Sequence, residues 1–525
     1  AAENFTTLVS IAPSPRERGL LWVGSDDGRV HVTRDGGENW TRIDTRARGV
    51  PEGSWVPMIT PSPHDSGTAF VVFDNHRRSD MRPYVFRVTD YGRSWESLAT
   101  DELQGYALSI LQDPVDPDLL FLGTELGLFV STDGGEDWFR FTAGVPTTSV
   151  MDMAIQAREN DLVLGTHGRS IYILDDYSAL RGLTAASFKP RLAMLSHTPG
   201  QQYAAQQTPS TRFTGSGEFR AENEPYGVLL TFMASGADLP HPDEDRERQR
   251  RLAQSDEQAS SDPPRVTMTV RDASKQVIRT KKFPVNQGIN RINWDLKHDG
   301  VRPMPGVEPA QPEDDLPPGP EVPPGEYSIT LSLASGDDTQ TDVTVNTEVL
   351  EDPRSNITPE ARQKNYAALL GLQGMMQASV SAVETIVRAR SDIDTTTELI
   401  EERLKNGDGQ DESLITLTEQ AGELRKQLDE LEQRFRVPPE TRGHVYDDDK
   451  VQNRVNLASY YVGSTRDAPS PTAQAYIEAA RQSLAAAEQA LARFMSENLA
   501  PFSRAVSQAG IGLFASEHLQ VRAQV

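Results

Sequence analysis

The eight residues Thr33-Arg34-Asp35-Gly36-Gly37-Glu38-Asn39-Trp40 restrict this chain's fold more than any other stretch, because they recur. The pattern Ser/Thr-x-Asp-x-Gly-x-x-Trp is met by Thr33, Asp35, Gly37 and Trp40, and again by Ser131, Asp133, Gly135 and Trp138. A looser copy carries Asp90, Gly92 and Trp95, with Val88 at the hydroxyl position. Each part has a task in a hairpin turn. The Asp carboxylate accepts backbone N–H groups, as in an Asx-turn. The Gly supplies φ > 0, which other residues resist. The Trp leaves the turn and packs its ring back over it. The sequence therefore predicts that Trp40, Trp95 and Trp138 are largely buried against their own turns. Asp35 and Asp133 should accept backbone hydrogen bonds.

The motifs sit in larger units of strand, Gly-containing turn, strand and motif. Leu20 to Val32 and Leu119 to Val130 are the first and third such units, the second carries the extended hairpin Asp74 to Pro83, and Leu162 to Leu174 is a fourth that lacks the motif. Trp40, Trp95 and Trp138 stand 55 and then 43 residues apart. A period of roughly 40–50 residues built from short strands predicts blades of a β-propeller. Residues 1–184 thus hold about four blades, near the lower limit of the ~4–8 that such rings use.

Residues 185–354 read as an Ig-like β-sandwich of alternating strands bounded by turn residues. Two polar insertions, 236–264 and 301–324, read as mobile. Residues 355–525 read as a helical bundle or long helical hairpin. Thr358 is a candidate N-cap with Pro359 at the first helical position. Leu414, Leu417, Ala421, Leu424, Leu428, Leu431 and Phe435 recur three and four apart, a heptad seam that could also serve an oligomer.

The first region resembles the C-terminal half of the sortilin-like, Asp-box (BNR repeat) propeller of large secreted bacterial proteins. The matching segments are Arg82-Pro83-Tyr84-Val85-Phe86 with Thr89-Asp90-Tyr91-Gly92, then Leu120 to Glu125, then Gly165 to Tyr172. The phrases Gly288-x-Asn290-Arg291-x-x-Trp294-Asp295 and Pro324-Gly325-x-Tyr327 resemble the Ig-like module beside such propellers. The resemblance implies an extracytoplasmic protein. It also places these blades at the end of a longer ring, completed by an N-terminal propeller fragment of the same precursor or by another chain. Such proteins are often labelled glycosyl hydrolases, but a shared fold does not establish activity.

Composition narrows the partners. A net charge of −25 disfavours nucleic acid. The chain has no cysteine, which excludes disulfides and thiol catalysis. No apolar run reaches the ~20 residues of a membrane span. No catalytic residue, cofactor or metal site is assigned. Turn geometry accounts for the motif carboxylates, including Asp90. The remaining candidates stand at corresponding turns between the two apolar strands of each unit: Asp26 and Asp27, then Asp74, His76 and Arg77, then Glu125, then His167 and Arg169. Repetition places these turns on one face, where they either bind a protein or glycan ligand or form a solvated loop face. Three functions remain open: a non-catalytic binding or scaffold protein, a glycoside hydrolase with acids partly in missing blades, and a subunit of a cell-surface assembly.

Overall fold

The computed structural model describes residues 6–204, 223–243, 246–248, 264–306, 315–334, 339–406, 411–439, 441, 447 and 449–511. The architecture is mixed: antiparallel sheets occupy the first two thirds of the chain and helices the last third.

Four sheets follow one another along residues 8–174, each an antiparallel meander in sequence order. The first contains Leu8–Pro13, Leu21–Ser25, Val30–Thr33 and Thr41–Arg42. The second contains Trp55–Pro61, Ala69–Asn75, Asp80–Thr89 and Ser94–Ser97. The third contains Ala107–Gln112, Leu120–Thr124, Gly127–Ser131 and Phe139–Phe141. The fourth has three strands, Val150–Gln156, Asp161–Thr166 and Ile171–Leu174.

Side-chain alternation explains how they stack. Successive residues of a strand point to opposite faces. In Ala69–Asn75 every residue is buried, because both faces are covered. Ala69, Val71 and Phe73 join Trp22, Val30 and Val56 in a core between the first and second sheets. Phe70 and Val72 join Ile110, Leu120, Leu122 and Trp138 in a core between the second and third. Phe121 and Leu128 of the third sheet meet Met153, Leu162 and Leu164 of the fourth. The two outer faces of the stack have no such cover among the described residues. Ile11 is 66% exposed on the first sheet, and Ile171 and Ile173 are 65% and 59% exposed on the fourth.

Beyond residue 190, two further sheets share one core. Leu192–His197, Val228–Ala234 and Gly288–Trp294 form one of them. Gly200–Gln201, Gln340–Leu350, Gly325–Ala334, Arg265–Arg271 and Val277–Pro284 form the other in that spatial order. Leu230 and Phe232 face Met268, Ile329 and Leu331, with Trp294 fully buried among them. The two stretches expected to be mobile are partly ordered. Leu239 and Val322 are buried in this core, and Pro318–Glu321 is a strand paired with Lys297–Asp299. Apolar side chains flanked by prolines dock there, whereas 244–245, 249–263 and 307–314 lie outside the described residues.

Among the described residues five α-helices follow: α1 (Pro359–Asn406), α2 (Glu412–Phe435), α3 (Val451–Gly463), α4 (Pro471–Phe494) and α5 (Ala500–Gln508). Thr358 Oγ1 accepts from Ala361 N at 3.2 Å, which caps α1. Leu417, Leu424, Leu428 and Leu431 pack with Val383, Ile386, Ile393 and Ile400 of α1. The heptad seam is therefore filled from within the chain.

Candidate functional site

The motif turns set the frame. Asp35 accepts Asn39 N at 2.9 Å, Asn39 Nδ2 at 2.7 Å and Thr33 Oγ1 at 2.7 Å. Those bonds, the Asn39 N–H foremost, hold its carboxyl down to about 2. Asp133 repeats the geometry with Ser131 Oγ at 2.7 Å, Glu136 N at 3.0 Å and Asp137 N at 3.1 Å. Burial pushes its carboxyl up, but these donors outweigh that and leave it below the ordinary value. Gly37 and Gly135 take φ of 103° and 96°, and their N–H groups reach Thr33 Oγ1 and Ser131 Oγ. Asp90 makes no such bonds among the described residues. Its turn lacks the hydroxyl partner and runs through Asp90 and Tyr91 at φ of 52° and 55°.

The indoles differ, and one expectation fails. Trp138 is 3% exposed and donates Nε1–H to Leu98 O, just past the last strand of the preceding sheet, at 2.9 Å. Trp95 packs against Phe73 and Phe86 and donates to Gly92 O at 3.2 Å. Trp40 donates to Gly37 O at 3.1 Å but is 43% exposed, so it is not buried as expected. The reason is positional. Each of these indoles sits on its sheet's side towards the preceding sheet, and the first sheet has none among the described residues.

At the opposite ends of the strands, the second-to-third-strand hairpins carry the candidate ligand residues. Asp74, His76 and Arg77 come together with two aromatic residues that the sequence reading did not nominate. His76 Nδ1 lies 2.6 Å from Asp74 Oδ2, and a carboxylate only accepts, so this nitrogen carries the proton. The imidazole stacks on Tyr106, at the entrance to the third sheet, with centroids 4.4 Å apart. Burial raises the Tyr106 phenol, and the charges of Glu125 and Asp74 raise it further. Arg77 lies over Trp55, with its guanidinium carbon 4.0 Å from the ring centroid. Trp55 and Tyr106 share a legible signal: both are aromatic residues at the start of the first strand of their units.

The other candidates are placed differently. Asp26 accepts Thr6 N and Thr7 N at 2.9 and 2.8 Å. Asp27 bonds Ser25 Oγ and pairs with Arg29 at 3.1 Å. His167 and Arg169 are exposed on the fourth sheet's hairpin. Of the arginines near Tyr84 in sequence, Arg82 pairs with Asp80 at 2.9 Å and Arg78 donates to Glu52 O. Tyr84 is buried and donates to Asp80 Oδ2 at 2.7 Å, its phenol pushed up to about 12 chiefly by burial.

Chemically, the cluster offers two aromatic faces, a guanidinium, an imidazole and the Glu125 carboxylate. An Asp–His pair can orient a base for a nucleophile, yet no hydroxyl is hydrogen-bonded to His76 Nε2 among the described residues. No group of three or more potential ligands that could hold a metal ion occurs among those residues. No helix among them is long and apolar enough to cross a membrane.

No family model matches the chain, and no curated protein matches it. Among solved structures, it is similar to β-propeller-type proteins. YCF48 bound to D1 peptide is 16% identical, over 33% of this chain and 52% of that one, at a TM-score of 0.26. The GH74 enzyme of Niastella koreensis is 15% identical, over 44% and 28%, at 0.26. The extracellular domain of the putative hybrid two component system BT3049 of B. thetaiotaomicron is 10% identical, over 67% and 39%, at 0.27. The chain spans about half of the first of these and less of the other two. At these scores the likeness extends to neither activity nor ligand.

Proposed function

We propose that this chain is a non-catalytic, extracytoplasmic binding or scaffold protein. In this reading residues 1–184 are Asp-box propeller blades, 185–354 an Ig-like sandwich and 355–525 a helical bundle acting as spacer. The hairpin end of the blades takes a protein or glycan ligand. The observation that carries the reading is the Asp74–His76–Tyr106 cluster, which joins two adjacent sheets at that end and stands beside the Arg77–Trp55 pair. Flat aromatic faces beside fixed hydrogen-bonding groups suit sugar rings and peptide planes alike.

A glycosidase needs two carboxyl groups facing each other at ~5–9.5 Å. At these hairpins Asp26, Asp27 and Asp74 are already engaged, and Glu125 is the one candidate carboxylate whose side chain makes no hydrogen bond or ion pair among the described residues. The binding reading asks nothing more of them.

The exposed outer faces of the stack support a partner. Further sheets of the same repeat, supplied by an N-terminal fragment of the same precursor, would cover Ile11 and Trp40 on one side and Ile171 and Ile173 on the other. The inner faces of the same stack are covered in that way.

The test is an array of oligosaccharides and peptides probed with the purified protein and with His76→Ala and Tyr106→Ala. The proposal expects a defined set of ligands whose binding falls about tenfold or more in both variants. Binding unchanged in both, or hydrolysis of an arrayed glycan, would overturn it.

A further inference from the structure

A cavity of about 870 Å³ lies between the second region and the helices, away from the hairpin cluster. Its walls come from the strand pair Lys297–Asp299 and Pro318–Glu321, the turn after Glu351, and helices α1 and α3. The volume lies within the ~300–1,000 Å³ of small-molecule sites, which favour the seams between packed units.

The lining is divided by chemistry. Tyr366, Leu369, Leu372 and Met376 present one continuous apolar side from successive turns of α1. The position is dry enough that burial pushes the Tyr366 phenol up to about 12. The polar side carries three arginines, each held by a carboxylate. Arg354 pairs with Asp352 at 2.9 Å, Arg466 with Glu321 at 2.7 Å and Arg362 with Glu351 at 3.0 Å. Lys297 lines the same cavity, and its side chain makes no ion pair or hydrogen bond among the described residues. Two further polar atoms on lining residues, Arg362 Nη2 and Gln373 Oε1, are buried with no hydrogen-bond partner among the described residues. Leaving such atoms unsatisfied is unfavourable, and a ligand could satisfy them. An unpaired cation on a cavity wall is notable in a chain whose net charge is −25.

We infer that this cavity is a binding site for a small organic anion: a ring-bearing molecule with one carboxylate-like group. The ring packs on Tyr366, Leu369 and Met376, and the anion faces Lys297. The site lies apart from the hairpin cluster and does not depend on it. The arginines, already neutralised by their own carboxylates, fix the wall and leave Lys297 as the charge that selects.

The experiment is calorimetric titration of the full chain with 2-naphthoate and with its neutral analogue 2-naphthalenemethanol. The inference expects one naphthoate per chain, bound about tenfold more tightly than the alcohol. Lys297→Glu should abolish that preference while leaving the alcohol's affinity unchanged. Ser459→Trp, which fills the cavity from α3, should abolish binding of both. No binding of naphthoate, equal affinity for acid and alcohol, or a preference that survives Lys297→Glu would each overturn it. Should Ser459→Trp fail to fold, the Lys297 comparison alone decides.

Discussion

The indole of Trp138 donates to the carbonyl oxygen of Leu98, 40 residues earlier and just past the last strand of the preceding sheet, at 2.9 Å. Leu98 also receives Gly135, whose Cβ position lies 3.2 Å from the Leu98 methyls. Gly92 of the second motif presses in the same way on Ile43, just past the last strand of the first sheet, where an added Cβ would fall 2.5 Å from a side-chain carbon. The recurring turn is thus a joint between sheets as well as a hairpin staple. The joint predicts unequal costs for equivalent tryptophans. Trp138→Ala should destabilise by about 3–5 kcal/mol as a large-to-small core change. In these 525 residues alone, without further sheets, Trp40→Ala loses a half-exposed ring and should cost about 1 kcal/mol or less. Urea unfolding of the two variants checks this, and equal losses would contradict it.

Glycine at position 123 has a second joint to serve. A Cβ there would lie 2.2 Å from Ser109 Oγ and 2.6 Å from Val150 O, the latter a backbone atom of the fourth sheet. Gly123→Ala should therefore push the third and fourth sheets apart and destabilise by about 1–3 kcal/mol. Thermal unfolding, with hydrogen exchange over residues 150–174 as the local readout, measures it.

Acid should loosen the motif turns. Asp35 is held at about 2 and Asp133 below its ordinary value. A carboxyl whose folded value is depressed adds stability that is complete above the unfolded value near 4. That stability is lost as pH falls through the folded value. Melting temperature should drop between about pH 4 and pH 2, and Asp35→Asn with Asp133→Asn should flatten that drop. An unchanged slope in the double variant would show that other groups carry the acid sensitivity.

In the helical region Leu428 is fully buried against α1. Leu428→Ala should cost about 2–5 kcal/mol without changing the sedimentation coefficient of the folded protein. A change in assembly state at unchanged stability would mean that the seam serves a partner instead.

Much of this arrangement was legible because it is local. The motif fixes its own turn, two-residue alternation fixes the sheets, and the spacing of Leu417, Leu424 and Leu428 fixes a helix face. What was not legible depends on neighbours distant in sequence. Trp40 carries the same motif as Trp138, and nothing in its own stretch shows that the face it points to lacks a neighbour. His76 meets Tyr106 only because adjacent sheets stack in register. Leu239 and Val322 lie in polar, Pro-rich surroundings whose composition outweighs one apolar residue. The short helix α3 has no side-chain N-cap bond, so its own stretch carries no clear start signal.

The central claim is that the sheets of residues 8–174 are successive blades whose outer faces are covered by more of the same. Native mass analysis of the protein purified from its source, beside footprinting of Ile11, Trp40, Ile171 and Ile173, tests this most directly. The account predicts a folded species heavier than these 525 residues, carrying further sheets of the repeat, with all four side chains protected. A folded species of this chain's own mass with those side chains open to solvent would contradict it.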